Sequence, residues 1–408
     1  MGFLMMGSNI SNREACLDTL EKTHSKVIPW LMIMRLYFAF CYLIIISGCG
    51  STLKLRLDMN QSQEDVPMLG RNASREFSDP SFFSFPLTKV WEYDASAGFG
   101  NGAPIIVNKT LIIGTLQGEL HAINVETGKR ISYNKNLSPI SSSPVAYRQY
   151  IIVGLESANE NLISFNTEKG DVQWSKNIGG VVSSPFTSDD LLFVGGLDGT
   201  FYSFKAQYGE SNWKFDTKAP IYASACALND LVFCANAEGI IFGLDKKNGE
   251  MRWKFSTRHA VFAGLTVQNG KLIAASRDST VYIIDAVSGA LERKIFVGDK
   301  IMSTPAVSNG IIYIPSLDGS LSAYSLLDGM MQWKFHAKNA VNTTPIIASN
   351  AVIVASLDNH LYALSLKDGS VLWKYDVESR IKTTPLVWQN SIFVAAENKT
   401  IYCFRTEQ

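Results

Sequence analysis

The chain has 408 residues, with 37 basic and 37 acidic side chains and a formal net charge of zero. That balance gives no global pull toward nucleic acid or anionic lipid. Charged residues make up 18% and hydrophobic residues 46%, the composition of a well-buried globular body rather than a disordered chain.

The first feature in chain order is an apolar stretch from Val27 to Gly48, split by Arg35. Its uninterrupted part, Leu36 to Ile46, is short against the ~20 residues of a membrane span and suits the core of a secretory signal with Arg35 as its positive flank. It ends in Ile46-Ser47-Gly48-Cys49, which resembles the bacterial lipobox, where the cysteine thiol is acylated and becomes the new N-terminus. Residues 1–48 therefore read as an export signal, with 1–33 an extension ahead of a start at Met32 or Met34, and Cys49 as the lipidation site. The other reading is an uncleaved signal anchor over Val27 to Gly48, which tolerates Arg35 at about 2.5–3.5 kcal/mol if central. In both, Lys22 and Lys26 stay inside and the rest is exported.

Residues 49–86 are polar, irregular and without periodicity, and read as a flexible tether.

From residue 87 to 405 a repeat dominates. Ser142-Ser143-Pro144, Ser183-Ser184-Pro185, Ser303-Thr304-Pro305, Thr343-Thr344-Pro345 and Thr383-Thr384-Pro385 recur at a period of about forty residues, with Gly102-Ala103-Pro104 ahead of them and Ala225 and Leu265 at the missing steps. Each unit carries an apolar strand, a hairpin turn such as Asn309-Gly310, a second strand, a turn such as Leu317-Asp318-Gly319, and an alternating third strand. A turn glycine follows, and four residues later a tryptophan: Trp174, Trp213, Trp253, Trp333 and Trp373. Arg293 and Ser132 break the rule, and Tyr133 is expected to stand in for Ser132. Four strands per forty residues, eight times, is an all-β, eight-bladed β-propeller. The last unit stops after three strands near Phe404, while Lys89 to Asp94 matches Leu372 to Asp376, so the first strand, with Trp91, completes the last blade.

The tryptophans, one per blade at a fixed offset, are expected to wedge between neighbouring blades. The turn aspartates Asp198, Asp278, Asp318 and Asp358 are expected to cap local backbone. Lys218, Arg258, Lys300, Lys338 and Arg380 recur in the loops entering successive inner strands. They are expected to ring one mouth of the central channel, either as a solvated rim balanced by those aspartates or as a docking surface for an acidic partner. Tyr208, Tyr222, Phe262 and Trp388 fall outside the wedge positions and are expected to fill the channel and inter-blade spaces.

The histidines, at 24, 121, 259, 336 and 360, form no pair at metal spacing, and no catalytic triad or carboxylate pair stands out, so no catalytic residue and no metal site are assigned. Of the six cysteines, Cys226, Cys234 and Cys403 lie in the repeats. A two-residue turn at Asn229-Asp230 sets Cys226 opposite Phe233, which leaves free buried thiols.

Ala122-Ile-Asn-Val-Glu-Thr-Gly-Lys129, and Leu244 to Gly249 leading to Trp253, resemble the pyrroloquinoline-quinone (PQQ) type of WD40-like repeat. Quinoprotein dehydrogenases share it but add long roofing insertions, a calcium ligand set and commonly a vicinal disulfide; here the loops are short and no cysteines are adjacent. A lipid-anchored propeller of this type with no further domain resembles the BamB family of outer membrane protein assembly factors. That resemblance implies a non-enzymatic, cofactor-free, monomeric periplasmic scaffold on the outer membrane that binds a BamA-like barrel-assembly protein and unfolded outer-membrane proteins. The family's contact loops are not matched by the short segments Asp216 to Pro220 and Ser256 to Ala260. A propeller binding or sensing envelope glycan or peptide is the alternative, and a PQQ-dependent dehydrogenase a further one.

Overall fold

A computed structural model describes residue 62 and residues 64–135, 137–157 and 159–406. The signal stretch and Cys49 lie outside the described residues. The strands, β1 to β32, run from Leu87–Asp94 to Thr400–Thr406 and assort into eight four-stranded antiparallel sheets. Seven sheets are consecutive meanders and form blades 1 to 7. Blade 8 has the order β1-β32-β31-β30, so the strand Leu87–Asp94 pairs with the strand Thr400–Thr406 and closes the ring. Closure removes two unpaired blade faces and their edges from water.

Each inner strand is three residues or fewer and begins on an apolar residue, as in Ile105–Val107 and Cys226–Leu228, except in blade 5, where it is Thr266–Gln268. The outermost strands alternate, as in Met251–Ser256, because only one of their faces packs on the next blade. Cys226 pairs with Phe233, as the turn chemistry required, and Cys226, Cys234 and Cys403 are free and buried.

The outer-strand tryptophans join blades in a fixed way. Trp253 donates its indole N–H to Ala286 O of the next blade (3.1 Å), and Trp91, Trp174, Trp213 and Trp333 do the same to Val125, Ala206, Lys246 and Leu366. Trp373 packs edge-on against Phe404 of blade 8. The indole takes the space that a side chain on the next blade's turn glycine would need: a Cβ on Gly249 would sit 2.6 Å from Trp213. Where tryptophan is missing, Arg293 fills the slot. Its Cδ would lie 2.7 Å from a Cβ on Gly329, and its guanidinium donates to Leu327 O (3.0 Å).

Tyr133 does not stand in for the missing tryptophan of blade 1. Ser132 holds the tryptophan register opposite Ala122, and Tyr133 pairs with His121. Strand alternation turns its ring to the other side of the sheet, where it stacks on His121 and under Arg130.

The expected tether differs most. Residues 64–86 are packed into the propeller rather than free. Val66 bonds Ile106 in both directions, and the amides of Ala146, Ala227, Val267 and Ile347 donate to the carbonyls of Pro67, Ala73, Ser74 and Phe77 at 2.7–3.0 Å. These amides belong to the inner strands of blades 2, 4, 5 and 7, which face the channel and have no further strand to pair with. The segment gives them acceptors, as buried backbone groups require. Phe77 and Phe83 are buried with it.

Candidate functional site

Two faces follow from the meander. The turns between first and second strands and between third and fourth strands lie on one face. The turns between second and third strands, with the long connections to the next blade, lie on the other.

The segment 64–86 enters from the first face. Asn108 N, in the first hairpin turn of blade 1, donates to Asp65 (3.2 Å), Asn390 N of blade 8 to Ser81 Oγ (3.3 Å), and Ser349 Oγ of blade 7 to Pro80 O (2.6 Å). Arg71 pairs with the buried Asp79. Arg75 reaches furthest in. Its guanidinium is fully buried and donates to Ala225 O (2.5 Å), Ser184 O (2.8 Å) and Leu69 O (3.1 Å), above the ring of Phe186. Among the described residues no carboxylate balances it, and burial pulls its pKa down to about 10. Arg75 was not singled out in the sequence because two of its three partners, Ala225 and Ser184, lie over a hundred residues away.

Beyond Leu69 the channel opens to the second face through a cavity of about 130 Å³ lined by side chains including Ser184, Ser224, Thr304, Asn342 and Thr384, with Tyr222 and Phe262 in edge contact at 4.9 Å. The recurrent Ser/Thr pairs before the inner strands build this mouth. The first hydroxyl ties back to its own blade, as Thr343 Oγ1 does to Ala355 O (2.7 Å). The second accepts an amide from the preceding blade: Ala103 N to Ser143 Oγ, Ser143 N to Ser184 Oγ, Ser184 N to Ser224 Oγ and Thr344 N to Thr384 Oγ1. The repeat that set the phase of the sequence is thus also the seam between blades. Trp388 is buried in the inner strand of blade 8, and Tyr208 is exposed in an outer turn.

The five cations are all exposed on this second face, each two to four residues past an outermost strand, and none of them lines the cavity at the channel mouth. Two are neutralised: Lys218 by Asp216 (2.6 Å) and Arg380 by Glu397 (2.6 Å). Among the described residues, the side chains of Arg258, Lys300 and Lys338 have no ion pair, although the amides of Arg258 and Lys338 are held by Asp278 and Asp358 of the next blade (3.2 and 2.9 Å). The turn aspartates are already engaged. Asp198, Asp278, Asp318 and Asp358 each accept a backbone amide two residues on. Asp198 and Asp278 also take the hydroxyls of Tyr202 and Tyr282, whose pKa values burial and these carboxylates push up to about 12. The result is a basic arc across the junctions of blades 4 to 7, with exposed His259 beside Arg258.

The family profile described as outer membrane protein assembly factor BamB matches residues 88–180, 176–261 and 237–408. A curated BamB from Francisella tularensis subsp. tularensis (strain SCHU S4 / Schu 4) is 24% identical over 139 residues, so the match spans 30% of this chain and 30% of that relative's length. Among solved structures, BamB from Moraxella catarrhalis superposes with a TM-score of 0.68 at 17% identity, over 78% of this chain and 100% of that one. A europium-containing methanol dehydrogenase superposes with a TM-score of 0.73 at 12% identity, over 83% and 90%. At such identities the superpositions speak for the fold alone. The profile, running through all eight blades, decides between them: this chain belongs to the family of the outer membrane protein assembly factor BamB.

Proposed function

We propose that this protein is a non-enzymatic scaffold of the cell envelope. It is held to the outer membrane by lipid on Cys49 and presents its second face to an acidic surface of a barrel-assembly protein. The observation that carries the reading is the family match over 88–408. Two features of the molecule support it. The closed ring is rigid, so its surface is pre-organised and loses little entropy on docking. The first-face half of the channel is filled by the chain's own residues, and about 130 Å³ remains within it, against the ~300–1,000 Å³ of ordinary ligand and cofactor sites. Glycan or peptide binding at the mouth has Tyr222, Phe262 and the hydroxyl ring in its favour, with an adjoining cavity of about 570 Å³ that shares Asn101, Ser141 and Val182 with it.

The basic arc sets the test. Reversing Arg258, Lys300 and Lys338 together to glutamate is expected to weaken capture of the barrel-assembly partner roughly tenfold or more, mainly through the association rate and with a loss of salt dependence. Lys169→Glu, in an outer turn of blade 2 on the opposite face, should leave capture unchanged. Equal capture by the triple variant and the parent, measured by surface binding across salt concentrations, would remove the arc from the interface.

A further inference from the structure

The turns that lead into the outermost strands share one glycine, and the residue two before it is Glu126, Glu168, Gln207 and Lys247 in blades 1 to 4 and Lys367 in blade 7. Blades 5 and 6 depart together, with Val287 and Leu327 at that position. The residue after the glycine follows suit: Lys129, Asp171, Glu210, Glu250 and Ser370 elsewhere, but Ala290 and Met330 here. Val287, Leu327 and Met330 are 69%, 86% and 66% exposed, and Leu291 and Met331 beside them are exposed too. The two turns are neighbours, since Arg293 of blade 5 donates to Leu327 O of blade 6.

We infer that this apolar edge is a membrane-contacting patch and that its occupant is the lipid surface to which the chain is anchored. The inference rests on the reading of Cys49 as lipidated. Three observations carry it. First, these turns lie on the face from which residues 64–86 enter the channel, so the chain toward Cys49 leaves by that face. From Cys49 to Glu64 is a step of fifteen residues, which at ~3.4 Å each reaches at most about 50 Å, so an anchor at Cys49 keeps the point of entry within that distance of the bilayer. Second, the turns meet their own backbone needs. Gly329 N donates to Ser325 O (2.8 Å), Met330 N to Asp328 (3.0 Å), Gly289 N to Asp285 O (2.9 Å) and Ser288 N to Asp285 (2.8 Å). Side chains at their tips can enter the headgroup boundary without stranding these amides. Third, the series across blades 4 to 7 reads Lys247, Val287, Leu327, Lys367, an apolar pair between two long-stemmed lysines, and the carboxylates of Asp285, Asp328 and Asp368 in these turns are turned back onto their own backbone amides. The patch would fix which way the propeller faces: blades 5 and 6 toward the bilayer, the basic arc toward the periplasm.

The test uses the full chain, processed in cells and reconstituted into vesicles of phosphatidylethanolamine and phosphatidylglycerol. An environment-sensitive fluorophore is placed at Leu327→Cys, at Gln207→Cys in the equivalent turn of blade 3, or at Lys218→Cys on the opposite face. Cys226, Cys234 and Cys403 are buried and do not compete for label. The label at 327 is expected to shift to the blue and to be quenched several-fold more by brominated lipid than the labels at 207 and 218. A label at 327 that stays in water while the protein floats with the vesicles overturns the patch, as does one shielded only when a barrel-assembly protein is added. If the chain does not float, the Cys49 reading fails separately. The 327 label is then read on chain held at residue 49 by a histidine tag on nickel-chelating lipid, with the same two outcomes.

Discussion

Arg75→Ala is expected to release residues 64–86 from the channel and to lower stability by about 2–4 kcal/mol, as read from the midpoint of urea unfolding. Three carbonyls, Leu69, Ala225 and Ser184, lose their charged donor, and a fully buried volume above Phe186 is left empty. An unsatisfied buried acceptor costs about 1–3 kcal/mol, and relief of the cation's own desolvation offsets part of the sum. Arg75→Lys should recover only a fraction, because one ammonium cannot span carbonyls that a planar guanidinium bridges between blades 3 and 4. Limited proteolysis gives the second readout: cleavage within 64–86 should become fast in Arg75→Ala while the blades stay intact. If the segment stays protected and the midpoint does not move, Arg75 is not what holds it.

Trp253→Ala is expected to cost about 3–5 kcal/mol, the usual range for emptying a buried aromatic site. Trp253 stacks on Phe233 at 5.7 Å, donates to Ala286 O and fills the space beside Gly289, so its loss opens the seam between blades 4 and 5. Arg293→Ala, at the same position one blade on, should cost only ~1 kcal/mol, since an aliphatic stem and one hydrogen bond are removed from a less buried site. Urea unfolding of the two variants side by side gives the comparison. Equal losses would mean that the wedge position, rather than the indole, sets the stability of the seam.

The propeller was legible because its determinants are local and repeated. Asn309-Gly310 makes a hairpin wherever it stands, and the fortyfold spacing of Pro305, Pro345 and Pro385 can only mean stacked identical units. The match of Lys89–Asp94 to the seventh unit's last strand likewise foretold closure. Tyr133 could have been placed by the same logic, since a period of two sends neighbours to opposite sides of a sheet. The channel segment could not. It has no periodicity of its own, and its amides and carbonyls meet inner strands 40 to 270 residues away through single bonds that leave no pattern. The basic arc was half legible. The repeat shows that these connections each carry a cation, but Arg258 and Lys338 stand two residues past their outermost strands and Lys300 four, so the register of Lys300 is set by the path of its own connection rather than by the repeat.

Purifying the full-length protein from its native membranes, weighing its mature N-terminus and identifying what co-elutes tests the scaffold assignment most directly. The expected result is a chain that begins at an acylated Cys49 and carries a barrel-assembly protein with it. An unprocessed N-terminus with no barrel-assembly protein in the eluate would contradict it.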